Sequence, residues 1–213
     1  WNLVNIRKFK KKKNKIKIRI ISDNKKLNQR YLNKFSPDFI FFIHWSRKVK
    51  NEIIKKYNCY NFHMTDLPFG RGGSPLQNLL LRDIEKTKIS LFKMNNKLDA
   101  GSILYKENFF LKGSAQQIYE SLSKKCIRII DKILKKNKIK YIKQEGRVRY
   151  FKRIKNNKLI IKKNQSLRNI YNQIRMRDAN TYLKTFIKVG NYKISLKNAK
   201  IKSKSINGEF EIK

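Results

Sequence analysis

The chain has 213 residues and a formal net charge of +40, from 54 Lys and Arg against 14 Asp and Glu. That length suits one full domain with a buried core and at most a small second unit. With no apolar run long enough to cross a bilayer and no signal-like opening, the expected setting is cytoplasmic, without membrane partners. Two cysteines, Cys59 and Cys126, exclude a disulfide scaffold and read as buried, reduced thiols.

In chain order, Asn2 to Lys13 is a basic segment of weak helical period, after which Ile16, Ile18 and Ile20 alternate with charged residues as in a strand. A helix is predicted over Asn24 to Phe35. The apolar run Phe39 to Ile43 follows a proline and suits a strand buried on both faces, delivering His44, Trp45 and Ser46 at its end. A helix over Lys50 to Tyr57 precedes the strand-like CYNFH, which ends at His63. Ser74 is the expected cap of a helix that starts at Pro75.

Strands are predicted around Lys88 to Met94 and Ser102 to Phe110, joined by a turn that carries Asp99. Ser114 caps a long helix with Ile118, Leu122, Ile129, Ile130 and Ile133 on its buried face. From about Gln144 the pattern changes to a strand and turn, a short helix over Ser166 to Arg177, and small strands separated by GN and NG turns. The expected division is residues 1–143 as a core and 144–213 as a small α+β extension. The alternation of strands and helices implies an α/β class with a Rossmann-like, mostly parallel sheet covered by helices on both faces. Ligands of such sheets sit beyond the carboxyl ends of the strands, where His44, Trp45, Asn61 and His63 fall.

The charge distribution bears on partners. A net +40 invites a polyanion reading, yet Tyr57 to Glu120 holds eight basic and six acidic side chains. The excess is therefore spread over the flanks among Asn and Ile, as surface lysine usage would give. The near-neutral window is where chemistry is to be sought. A site that moves a proton while charge develops on an oxygen needs a base and a donor to that oxygen. His63 suits the proton transfer, the Asn61 amide suits the oxygen, and Asp99 can orient the imidazole. Structural roles for the same three residues, as strand-end histidine, cap and turn former, are the alternative. A metal site is not expected, because Cys59 and His63 have no second Cys/His cluster to complete four ligands. The glycines of FGRGGSP lack dinucleotide-fingerprint spacing and fit a tight loop, with Arg71 available for an anion and Gln77 for a polar group.

Asn61-x-His63, then LPFGRGGSPLQ, then LDAG together resemble the folate-dependent formyltransferases, the family that includes methionyl-tRNA, glycinamide ribonucleotide and nucleotide-sugar formyltransferases. The resemblance implies catalytic roles for Asn61, His63 and Asp99, and 10-formyltetrahydrofolate as formyl donor. It places His44, Trp45, Leu98 and Asp99 by the folate pocket and Arg71 and Gln77 on the acceptor side. The carboxyl-terminal stretch IRMRDANTYL is similar to members acting on nucleotide-linked amino sugars, with Arg177 and Leu183 departing from the usual Leu and Pro. An amino sugar is thus the expected acceptor. Methionyl-tRNA, and a non-catalytic nucleic-acid binder on the same fold, are the alternatives; a homodimer is left open. Members of the family open with a buried strand before the first helix, so the expectation is that a first strand is missing ahead of Trp1.

Overall fold

A computed structural model describes residues 2–13, 15–136, 138–155, 160–180 and 182–213. Two compact units are distinguished. The first comprises Trp1–Arg71, Lys88–Glu107 and Glu120–Arg149; the second comprises Gly72–Thr87, Asn108–Tyr119 and Tyr150–Lys213.

The first unit opens with α1 (Asn2–Lys12). Asn2, Asn5, Ile6 and Phe9 are its partly buried stripe, at the i, i+3, i+4, i+7 spacing of one helix face. Asn5 donates to the Ser123 hydroxyl at 3.1 Å, and Lys13 pairs with Asp131 at 2.5 Å. The predicted helix over Asn24 to Phe35 is split into a 3-10 turn, Asn24–Lys26, and α2 (Gln29–Phe35). Asn28 separates them because its side chain caps Tyr31 N–H, an N-cap role that needs extended rather than helical backbone.

Next come β1 (Ile40–Phe42), α3 (Asn51–Lys56) and β2 (Cys59–His63). β1 and β2 run parallel, with Ile40 opposite Cys59 and Phe42 opposite Asn61, as expected of a β-α-β unit. The sheet continues through β4 (Lys86–Lys93) to β5 (Ile103–Phe110), in the order β1-β2-β4-β5. β4 is antiparallel to β2, so the α/β sheet is mixed beyond its parallel half.

Ile16 to Ile20 form no strand, contrary to their alternation. They face Phe39–Phe42 across a trough of about 570 Å³, whereas ladder bonding needs backbones about 4.8 Å apart. Alternation supplied the side-chain pattern but not a neighbour.

The long helix α5 (Ala115–Leu134) begins as predicted. Gln117 N–H donates to the Ser114 hydroxyl at 3.4 Å, and Ser114 N–H donates to Gln117 Oε1 at 2.9 Å, which is a reciprocal capping box. Leu122, Cys126, Ile129, Ile130 and Ile133 are buried, each aliphatic side chain contributing about 1.5–3 kcal/mol by its removal from water. Both thiols are buried and free; burial pushes Cys59 up to about 12. No helix among the described residues is long and apolar enough to cross a membrane.

In the second unit the chain turns into α4 (Pro75–Leu80). Ser74 does not cap it. Its backbone is left-handed, with φ +49, and its hydroxyl accepts from Ile154 N–H at 3.1 Å instead. β3 (Arg71–Gly72) leads into this turn. A Cβ on Gly72 would lie 2.6 Å from the Phe151 carbonyl oxygen, within β6 (Tyr150–Phe151), so the glycine permits a backbone approach that a side chain would block. Ser166 caps α6 (Leu167–Arg175) through Asn169 N–H. A three-stranded antiparallel sheet follows, from β7 (Thr185–Val189), β8 (Tyr192–Ile201) and β9 (Ile206–Ile212).

Gly190-Asn191 forms the first of the predicted turns, between β7 and β8. Asn207-Gly208 does not form the second: it lies inside β9, with Asn207 opposite Lys200. β8 runs on to Ile201, so the reversal falls at Lys202–Ser205, closed by Lys202 N–H to Ser205 oxygen at 2.8 Å. Part of the turn expected after Phe151 lies outside the described residues.

Candidate functional site

β2 decides the site's first feature. Successive strand side chains point to opposite faces, so Asn61 and His63 share one face while Tyr60 and Phe62 take the other. Tyr60 and Phe62 join an aromatic row with Phe41, at centroid separations of 5.6 and 6.5 Å. Because β1 is parallel to β2 and in register, His44 and Trp45 leave the same edge of the sheet as His63.

His63 is 6% exposed. Its Nε2 lies 2.7 Å from the Gly70 carbonyl oxygen. A carbonyl only accepts, so Nε2 carries the hydrogen and Nδ1 keeps the lone pair of the neutral ring. Nδ1 faces Asp99 Oδ2 at 3.8 Å, with the Asp99 side chain about as buried as the imidazole. A proton arriving at Nδ1 thus creates an opposite-charge pair shielded from water.

Asn61 Oδ1 is buried without a hydrogen-bond partner among the described residues. Leaving such an atom unpaired costs about 1–3 kcal/mol, which is compensated when a ligand N–H approaches. The structure therefore brings Asn61, His63 and Asp99 into one unit and sets His63 against Asp99. The backbone of Asp99 is left-handed, φ +48, an unusual conformation for a residue other than glycine.

The loop after β2 is held from below by β4. The Ser90 hydroxyl donates to Thr65 oxygen at 2.7 Å and accepts from Leu67 N–H at 3.3 Å. Asp66 pairs with Lys106 at 2.5 Å and Lys88 at 2.9 Å. Burial would raise the Asp66 carboxyl, but the hydrogen bonds and charges of the two lysines outweigh it and hold the group below its ordinary 3.8. A depressed carboxyl stabilises the fold fully above the unfolded value and loses that contribution as pH falls through the folded one. Asp66→Asn is expected to lower stability at pH 7 by about 0.5–1 kcal/mol, the pair being partly exposed, and the difference from wild type should be smaller at about pH 3 than at pH 7. Urea unfolding at both pH values checks this; an equal difference at the two would refute it.

The other predicted positions are placed as follows. Burial lowers the His44 imidazole to about 4, so it is neutral near pH 7. Trp45 packs edge-on against Phe42 in the cluster of Leu27, Leu32, Val49 and Ile53, and its buried Nε1 has no partner among the described residues. Leu98 is 62% exposed. The Arg71 guanidinium donates through Nε and Nη2 to Gln144 Oε1, at 3.1 and 2.7 Å. Gln77, in the second unit, is buried, and its amide donates to the Tyr119 hydroxyl and the Met176 carbonyl at 3.3 and 3.2 Å. Among the described residues no three His, Cys, Asp or Glu side chains gather as metal ligands.

Two participants carry no signal in the sequence. Gly70 contributes only a carbonyl, and Gln144 lies in a polar stretch without periodicity. Gln144 could have been suspected only as the half-buried residue of an exposed run, which is itself a tertiary property.

Comparison with known proteins adds independent observations. Residues 156–213 match the family described as methionyl-tRNA formyltransferase, C-terminal domain. Over 153 residues the chain is 35% identical to the bifunctional polymyxin resistance protein ArnA of Wigglesworthia glossinidia brevipalpis, covering 68% of this chain and 23% of that protein. It is 36% identical over 100 residues to methionyl-tRNA formyltransferase of Rickettsia massiliae, covering 46% of this chain and 32% of that one. The matched stretches thus span a third or less of these two curated relatives. Among solved structures, methionyl-tRNA formyltransferase from Clostridium thermocellum is 40% identical, with 100% of this chain and 94% of that chain covered and a TM-score of 0.95.

Proposed function

The chain belongs to the formyltransferase family, and from that premise we propose that it transfers a formyl group from 10-formyltetrahydrofolate to an amine, with the amine of methionyl-tRNA as the favoured acceptor. The observation that carries the chemistry is the pairing of buried His63 Nδ1 with Asp99 at 3.8 Å, on the sheet face that also presents Asn61. The unpartnered Asn61 Oδ1 and Trp45 Nε1 fit a polar ligand entering at this edge.

When bound, the folate supplies the formyl carbon and leaves as tetrahydrofolate. The Asn61 carboxamide offers an acceptor for the N–H of the incoming amine and a donor for the oxygen on which charge develops. His63 Nδ1 takes the proton that the amine gives up as its nitrogen bonds to carbon. Asp99 stabilises the imidazolium so formed, and the Gly70 carbonyl holds the ring in the tautomer that leaves Nδ1 free. The same proton on His63 would be available to a leaving nitrogen, which would return the ring to its starting state. Arg71, with two of its five N–H groups on Gln144, can direct the rest toward an anionic part of the acceptor.

The carboxyl-terminal motif favours an amino sugar on a nucleotide. Two observations weigh more heavily for methionyl-tRNA: the full-length likeness to the C. thermocellum enzyme and the matched carboxyl-terminal family. The net charge of +40 also suits an RNA backbone. The test is to supply 10-formyltetrahydrofolate with either methionyl-tRNA or a nucleotide-linked amino sugar, and to follow tetrahydrofolate release and the N-formyl product. Formyl-methionyl-tRNA is the expected product. Turnover of the sugar alone would reassign the acceptor, and turnover of neither would refute the activity.

A further inference from the structure

We propose that Gln144 is a positioning residue of this site: its carboxamide ties the Arg71 guanidinium to the loop that carries Asp99. The inference rests on the reading of His63 and Asp99 given above.

Gln144 Nε2 donates to the Asp99 carbonyl at 2.9 Å and to the Gly101 carbonyl at 2.8 Å. Its Oε1 receives Arg71 Nε and Nη2. Both N–H groups and both lone pairs of one amide are thereby used. The orientation of the amide is fixed as well, because a guanidinium only donates and a carbonyl only accepts. The surrounding segment is mostly exposed, yet it is anchored next door, where Ile142 exchanges hydrogen bonds of 2.7 and 2.9 Å with Ile103 of β5.

The mechanical consequence concerns Asp99. Its left-handed backbone is sparsely populated by residues other than glycine, less sparsely by Asp and Asn, and depends on neighbours that hold the loop in that shape. The two bonds from Gln144 bracket it, one on its own carbonyl and one two residues on. Releasing them lets the loop relax and moves Oδ2 away from His63 Nδ1. On the other side of the amide, the guanidinium of Arg71 loses the acceptor that fixes the direction of its fork. One side chain therefore sets both the charge partner of the base and the cation on the acceptor side.

The experiment uses whichever of methionyl-tRNA or the nucleotide-linked amino sugar the wild-type protein formylates. Gln144→Ala is expected to lower kcat about 10- to 100-fold, the scale of a displacement near 1 Å, and to raise KM for the acceptor. Gln144→Glu keeps an oxygen for Arg71 but turns a second oxygen on two carbonyls, so it should restore the acceptor KM and not kcat. Adding Gln144→Ala to Asp99→Asn should cost less than about a further twofold in kcat, since residues acting in series are not additive. A Gln144→Ala protein with wild-type kcat and acceptor KM, in a preparation where His63→Ala is inactive, overturns the positioning role and leaves formyl transfer standing. So does a full multiplicative loss in the Asp99→Asn background, the mark of general destabilisation. Absence of N-formyl product from the wild-type protein overturns the underlying reading itself.

Discussion

Replacing His63 with alanine is expected to lower formyl transfer by about 100- to 10,000-fold, the range associated with a positioned acid–base group, while tetrahydrofolate still binds. The imidazole is the group whose Nδ1 lone pair faces Asp99, and alanine leaves nothing there to hold the proton released by the amine. The substitution also removes one of two donors to the Gly70 carbonyl, the Thr65 hydroxyl at 3.4 Å being the other, a loss of about 1 kcal/mol of stability. Asp99→Asn is the better partner variant than alanine. Asparagine tolerates the positive φ at this position and removes the charge alone, so a loss of rate reports the missing stabilisation of the imidazolium. Single-turnover rates with saturating acceptor, set beside tetrahydrofolate titrations, check both variants. Activity within tenfold of wild type in His63→Ala would remove His63 from the mechanism.

Gly101→Ala is expected to cost about 3 kcal/mol or more, at the upper end of overpacking effects. A Cβ at this position would stand 1.6 Å from the Lys93 carbonyl oxygen and 2.8 Å from its carbon. These are backbone atoms of β4, so no side-chain rotation relieves the clash. The next residue closes the same junction, with Lys93 N–H donating to Ser102 oxygen at 2.9 Å. Either the edge of β4 yields or the loop withdraws, and in the second case Asp99, two residues upstream, moves with it. Urea unfolding and formyl transfer measured together separate the two routes. A midpoint equivalent to less than about 0.5 kcal/mol of change would contradict the packing described for this junction.

Where the governing interactions are local, the amino-acid order by itself determined the structure. The period of two in CYNFH puts Asn61 and His63 on one face whatever the sheet does around them. Ser114 and Ser166 each begin their helices because the groups they cap lie within three residues. The aliphatic stripe of α5 is a property of 3.6-residue periodicity, and the β1-α3-β2 unit follows from its alternation of apolar run and helix. Tertiary structure decided everything that depends on a distant partner. Ile16 to Ile20 have the alternation of a strand but stand across a trough from β1. The Ser74 hydroxyl is taken by the backbone 80 positions away, and Asn207-Gly208 is drawn into β9 because β8 continues past it. Gln144 reaches Asp99 and Arg71 across 45 and 73 positions. The tautomer of His63, set by the Gly70 carbonyl at 2.7 Å, belongs to this second group: hydrogen bonds across a folded chain depend on where the backbone is brought, and no local period encodes that position.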